Sequence, residues 1–169
     1  VPGQMVRFGL GYEEIKHHNP RLVYASCSGF GQTGPYATKP ALDAVVQGMG
    51  GIMSITGEEG GPPTRPGASV GDIVAGLFLS IGILAALQER EKSGLGQHVD
   101  VAMLDSQIAL LENAFVRYFA TGEIPHALGS RHPLFTPFQA FETKDGHIVV
   151  ASVGAEWPLF CAVLNIPEF

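Results

Sequence analysis

The residues best suited to chemistry stand together in Val70-Gly71-Asp72-Ile73-Val74-Ala75-Gly76, where an acidic side chain precedes a long apolar run that ends in Glu89-Arg90-Glu91-Lys92-Ser93-Gly94. This pattern sets Asp72 at a helix N-terminus. There the free backbone N–H groups and the positive end of the helix dipole favour a negative charge, which suits Asp72 to act as an anionic nucleophile at neutral pH. The ordinary role of an Asp in this place is to cap the helix. On the motif alone both roles are open. Gly71 and Gly76 keep side-chain bulk low on either side of Asp72, where a substrate must approach.

Other candidates are weaker. Gly29-Phe30-Gly31-Gln32-Thr33-Gly34 has the GxGxxG spacing, but Pro35 and Lys39-Pro40 follow where a dinucleotide fingerprint would run straight into a helix. Ser26-Cys27-Ser28-Gly29 lacks the first glycine of a nucleophile elbow, and a strand interior rarely gives Cys27 the electropositive, exposed setting a reactive thiol needs. The adjacent His17 and His18 cannot both face one ion from a helix, and His126 and His132 have no carboxylate pair nearby, so no metal centre is expected. Asp105 reads as a cap of its own helix, and Asp100, between Val99 and Val101, as a solvent-facing or interface strand residue.

The elements that must position these residues follow from pattern. A short helix over residues 11–18 ends before Asn19-Pro20, because the residue preceding proline is pushed out of the α region. Arg21 to Ser28 is a strand that empties into the Gly29–Gly34 loop, a plausible ligand crevice in an α/β protein. A helix over 43–53 precedes a Gly- and Pro-rich loop from Thr56 to Gly67, which delivers the chain to Gly71 and Asp72. Ile73 to Leu87 is a core helix, too short an apolar run for the roughly 20 residues a bilayer demands, with Gly76 and Gly82 permitting close neighbours. Being apolar around much of its circumference, it expects neighbours on several sides. Gln97 to Met103 alternates as a strand, Leu104 to Thr121 is an amphipathic helix, and Phe138 to Ala151 is a hairpin around Lys144-Asp145-Gly146.

With 169 residues and 46% hydrophobic content the chain can bury a core. A net charge of -6 with ten Lys and Arg supplies no basic stripe, so nucleic acid is not an expected partner. Cys27 and Cys161 lack CxxC spacing and read as reduced, mostly buried thiols of a cytoplasmic protein. No signal peptide is visible, and the opening Val1-Pro2-Gly3 and the close at Phe169 read as a piece of a longer chain.

Several ordered motifs together resemble one known family. They are Pro2-Gly3 with Arg7, Asn19-Pro20-Arg21-Leu22-Val23-Tyr24, Gly29-Phe30-Gly31-Gln32-Thr33-Gly34-Pro35, Arg65-Pro66-Gly67 followed by Gly71-Asp72, Gly82 to Leu87, and Gly94-Leu95-Gly96-Gln97 leading to Val99-Asp100-Val101-Ala102-Met103. Across the whole chain they resemble the class III coenzyme A transferases, a family that includes formyl-CoA and carnitine CoA-transferases and the related acyl-CoA racemases. The resemblance implies that Asp72 is the nucleophile, carrying CoA as an aspartyl thioester between an acyl-CoA donor and a carboxylic acid acceptor. It maps CoA contacts onto Arg7, Ser28, Gly29, Phe30, Gly31 and Met103, with CoA as substrate and no tightly bound cofactor. It implies an α/β fold: a Rossmann-like portion of a large CoA-binding domain over 1–125, then a linker and the start of a smaller α+β domain over 126–169, in an interlocked homodimer that is neither membrane-bound nor nucleic-acid-binding.

Departures from the family pattern bear on substrate. Ser28 replaces a lysine found there in some members, and Gly129-Ser130-Arg131-His132 has no close likeness to the glycine-rich substrate loop of formyl-CoA transferase. The racemases place a histidine before the aspartate of Ala41-Leu42-Asp43. Leu42 occupies that place and cannot exchange protons, which disfavours racemisation. The intact Asp72 motif likewise argues against a non-catalytic relative.

Overall fold

The structure, a computed structural model, describes residues 1–166. Pro167 to Phe169, the end of the expected second lobe, lie outside the described residues. In chain order the elements are α1 (Tyr12–Ile15), β1 (Tyr24–Ser28), α2 (Asp43–Gly50), α3 (Val70–Ser93), β2 (His98–Ala102), α4 (Met103–Ala109), α5 (Glu112–Thr121), β3 (Phe138–Thr143), β4 (Gly146–Ala151) and α6 (Trp157–Leu164), with 3-10 turns at Val6–Phe8 and Ile52–Ile55. The class is mixed α/β, as expected.

β1 and β2 pair in parallel, with Tyr24 opposite His98 and Ser28 opposite Ala102, and the chain between them crosses over through α2 and α3. The packing face of α3 is a stripe of small residues: Gly71, Ala75 and Ala86 are buried, and a Cβ at Gly82 would come within 2.7 Å of Val99 Cγ1 on β2. Small side chains at three- and four-residue spacing share one face of a helix and let a strand and two helices approach its backbone. Val46 of α2, Ala75 of α3 and Met103 of α4 form the centre, with Phe30, Ala41, Val101 and Leu104 packed around it.

The opposite face of α3 carries Ile73, Leu77, Ile81 and Leu84, all exposed. Gly76 lies on neither contact, since a Cβ there would meet nothing within 4 Å, so only Gly82 serves the close approach expected of both. The apolar run also continues further than expected. α3 has 24 residues and is long and apolar enough to cross a membrane by length and composition, so length alone does not argue against a span.

One expected helix is two. The segment 104–121 breaks after α4, where Leu110 and Leu111 donate to carbonyls three residues back, Gln107 and Ile108, before Phe115 resumes the α pattern from Leu111. The tightening turns Leu111 inward beside Gly51, a local packing demand that helical periodicity does not carry. α2 likewise ends early, at Gly51, whose φ of 94° no other residue type adopts without strain. The hairpin forms as expected, closing with Thr143 opposite Gly146 around Lys144 and Asp145, and makes a second, separate sheet.

Candidate active site

The first turn of α3 is capped from a distance. Ser69 holds the cap position but makes no side-chain cap bond; its Oγ instead accepts a hydrogen bond from Arg65 Nη2 at 3.2 Å. The acceptor is Asp43, at the start of α2 and 28 residues before its partner: Gly71 N–H donates to Asp43 Oδ1 at 2.9 Å, and the N–H of Asp72 also favours the charged carboxylate. Asp43 Oδ2 receives Gln47 Nε2 at 2.7 Å and Arg65 Nη2 at 2.9 Å. The Asp43 residue is only 9% exposed. Burial acts to raise its carboxyl, but the donors from Gln47, Arg65, Gly71 and Asp72 outweigh it and hold the group below the ordinary carboxylate value.

Gly71 is required by this arrangement. A Cβ there would lie 2.8 Å from Val46 Cγ2 and 3.0 Å from Asp43 Oδ1, so any larger residue would push the helix off its cap. Asp72, next in the turn, is exposed, and among the described residues its carboxylate makes neither a hydrogen bond nor an ion pair. The capping role open to Asp72 on sequence is thus filled by Asp43, and the Asp72 side chain is left unengaged beside backbone donors.

The glycine loop follows the end of β1. Gly29 sits where a Cβ would fall 2.3 Å from Ala41 Cβ, and its C=O accepts the Leu104 N–H at 3.1 Å, joining the loop to α4. Gly31 takes φ 82°, and the next N–H, of Gln32, donates to Asp100 Oδ2 at 2.8 Å. Asp100 therefore holds the loop in shape, a role its alternation in the strand does not reveal. Phe30 packs on the core with its ring 5.5 Å from that of Tyr36.

Cys27 is exposed, contrary to the expectation of a buried thiol, because β1 offers one face outward; Cys161 is buried as expected. Partial burial, then the negative charges of Asp72 and Asp100, push the Cys27 thiol above its ordinary value. Asp72 and Asp100 thus both act on the end of β1.

A groove of about 460 Å³ runs along β1, lined by Met5, Tyr24, Cys27, Ser28, Gln32 and His98 among others. Of the expected CoA contacts, Ser28 faces this groove and Gln32 Nε2 reaches Ser28 Oγ at 3.5 Å. Arg7 stands exposed on the Val6–Phe8 turn with no ion pair among the described residues. Met103 is 9% exposed in the core cluster, whereas Met5, which sequence reasoning passed over, is 46% exposed and opens on the groove. His98, also passed over, bonds Ser26 Oγ at 2.8 Å and stacks edge-on to Tyr24. Among the described residues no three His, Cys, Asp or Glu gather as a metal site would need.

Comparison with known proteins finds close relatives of the chain. The chain is 46% identical over 169 residues to an acetyl-CoA:oxalate CoA-transferase of Acetobacter aceti, covering 99% of this chain and 43% of that protein. It is 39% identical to a succinyl-CoA:glutarate CoA-transferase of Homo sapiens, covering 99% of this chain and 39% of the relative. A crystal structure of a CaiB/BaiF family protein from Brucella suis superposes with a TM-score of 0.85 at 39% identity, over 98% of this chain and 44% of that one. The chain thus spans about two fifths of the length of the curated relatives it matches. The family model for CoA-transferase family III matches residues 1–169, and the chain belongs to that family.

Proposed function

We propose that the protein to which this chain belongs moves coenzyme A from an acyl-CoA donor to a carboxylic acid acceptor, with Asp72 as the covalent carrier. The observation that carries the reading is an exposed, unengaged Asp72 carboxylate in the first turn of α3, its capping duty taken by Asp43. Family membership and relatives that act on acetyl-CoA or succinyl-CoA support it.

The Asp72 carboxylate attacks the donor thioester carbonyl, and collapse of the adduct expels CoA thiolate and leaves an acyl-aspartyl anhydride. The thiolate then attacks the Asp72 carbonyl, releasing the donor acid as its carboxylate and forming an aspartyl-CoA thioester. The acceptor carboxylate reverses both steps, and Asp72 returns as a carboxylate. Each barrier is lower than direct exchange between two weakly reactive partners. Backbone N–H groups of the glycine loop are suited to stabilise the oxyanions that develop. Arg7 is a free cation fit for a CoA phosphate, and Ser28 to Gly31 with Met103 complete the proposed contacts, Met103 from within the core and Met5 from the groove.

The parallel β1–β2 pair with its helical crossover supports a Rossmann-like large-domain portion over 1–125, and the separate hairpin supports a smaller domain beginning within 126–169. The exposed Ile73, Leu77, Ile81 and Leu84 stripe fits a core helix whose second face is covered in the whole protein or its homodimer; a cytoplasmic enzyme that takes CoA as substrate is the setting we propose for it. Racemisation is disfavoured, because Leu42 is 75% exposed where an imidazole would be needed.

The test is to incubate the full-length enzyme with acyl-CoA, quench, and search by mass spectrometry for CoA on the Asp72 peptide, with hydroxylamine releasing it. Asp72→Asn should abolish both adduct and transfer. Transfer near the wild-type rate in that variant would sink the assignment, and rapid deuterium uptake beside the thioester without any acceptor acid would favour the racemase.

A further inference from the structure

We infer that Asp43 is a positioning residue for the Asp72 reaction: by capping α3 from α2, its buried carboxylate holds the first turn of α3 in the orientation that presents Asp72 to substrate. This rests on the reading of Asp72 as nucleophile. The two oxygens of Asp43 are committed in different directions, Oδ1 to the Gly71 N–H and Oδ2 to Gln47 and Arg65, so the carboxylate cannot rotate without breaking a bond. A cap drawn from Ser69 would move with its own helix. Asp43 instead belongs to an element anchored by the buried Val46, Gln47 and Gly50, and it fixes the turn against the rest of the fold.

The layer beneath the turn is costly in polar groups. Gln107 of α4 is fully buried, its Oε1 lies 3.6 Å from where a Gly71 Cβ would be, and neither its Oε1 nor its Nε2 has a hydrogen-bond partner among the described residues; the same holds for Gln47 Oε1. Buried polar atoms without partners lower stability, so stability does not account for placing Gln47 and Gln107 beneath this turn. Orientation does. With the Gly71 N–H already bonded to Asp43, the Asp72 carboxylate is not drawn back onto that donor of its own helix.

The experiment uses full-length Asp43→Asn and Asp43→Ala, beside Leu111→Ala as a destabilised control remote from the turn. Asn keeps an oxygen for Gly71 but loses the charge that holds Arg65, and should lower kcat about tenfold; Ala should lower it about 10²-fold, the scale of a displacement near 1 Å. KM for acyl-CoA should stay within about twofold in both. Leu111→Ala should lower Tm with kcat unchanged, which separates positioning from loss of structure. If Asp43→Ala does not fold, the Asn variant decides on the same readouts. The rate at which CoA appears on Asp72 distinguishes the two readings: no adduct in the wild type overturns both. An adduct that forms in the wild type and at the same rate in the Asp43 variants overturns only the positioning role, as does a kcat loss in Leu111→Ala equal to that in the Asp43 variants.

Discussion

The two ends of α3 are held in opposite ways. At the C-terminal end the chain closes on itself: Gly94 takes φ 76°, its N–H returns to the Arg90 C=O at 2.9 Å, and Arg21 reaches Gly94 O at 3.4 Å and Glu91 at 3.5 Å on an exposed surface. At the N-terminal end a buried acid from another helix makes the closure. The first solution is wet, its backbone closure made within four residues and its Arg21 contacts on the surface, so each part contributes little and can be replaced. The second draws on another helix and is dry, so its parts depend on one another and fix the turn that carries Asp72, the proposed nucleophile.

The sharpest way to break this contrast is Gly71→Ala. The added methyl meets Val46 and Asp43 at 2.8 and 3.0 Å, and overpacking of this kind costs about 1–3 kcal/mol. Transfer by the full-length enzyme should fall more steeply than stability, which assay and thermal melt together would show. Normal kcat would mean the turn tolerates displacement. Next in size is an effect of acid. Because the Asp43 carboxyl is held below its ordinary value, its contribution is complete above the unfolded value of about 3.9 and is lost as pH falls through the folded one. The Tm advantage of the wild type over Asp43→Asn should therefore be constant from about pH 7 to 5 and shrink below about pH 4.

At the other end Gly94→Ala should cost about 1–2 kcal/mol through its left-handed backbone, since the nearest atom to the new Cβ is 4.0 Å away, and should leave kcat untouched. Smallest is Arg21→Ala, which removes an exposed pair and should shift stability by less than about 1 kcal/mol. A kcat change in either C-terminal variant would show that the two ends are coupled along the helix.

What could be read in the sequence divides along the same line. Gly94 after a basic turn marks a helix end, Asp72 before an apolar run marks a start, and Lys144-Asp145-Gly146 marks a hairpin, because each signal lies within a few residues of its effect. Asp43 carried no such signal. Its partner is 28 residues away, and only the packing of α2 on α3 turns a residue that opens one helix into the cap of another. Met103 and Met5 were indistinguishable in kind, and burial, a property of neighbours, sends one to the core and the other to the groove. The hold of Asp100 on the glycine loop escaped for the same reason, since it joins residues separated by 68 positions.

The loop between α2 and α3 has a further consequence for how such a chain can vary. Asp43 and Gly71 are brought together by the packing of the helices and by hydrogen bonds, to which the covalent path between them contributes Arg65. At Gly60, with φ 73°, a Cβ would meet nothing within 4 Å, while the residues just before it are tied to the 126–131 segment through Gly129 N–H to Gly57 O and through Glu59 with Arg131. For a flexible loop, each doubling of length costs only about 0.6 kcal/mol in closure entropy. New residues inserted at Gly60 can therefore lengthen the path without disturbing the cap, which makes this tip a place where relatives can diverge in length, or where a reporter segment can be grafted, while Asp72 keeps its setting.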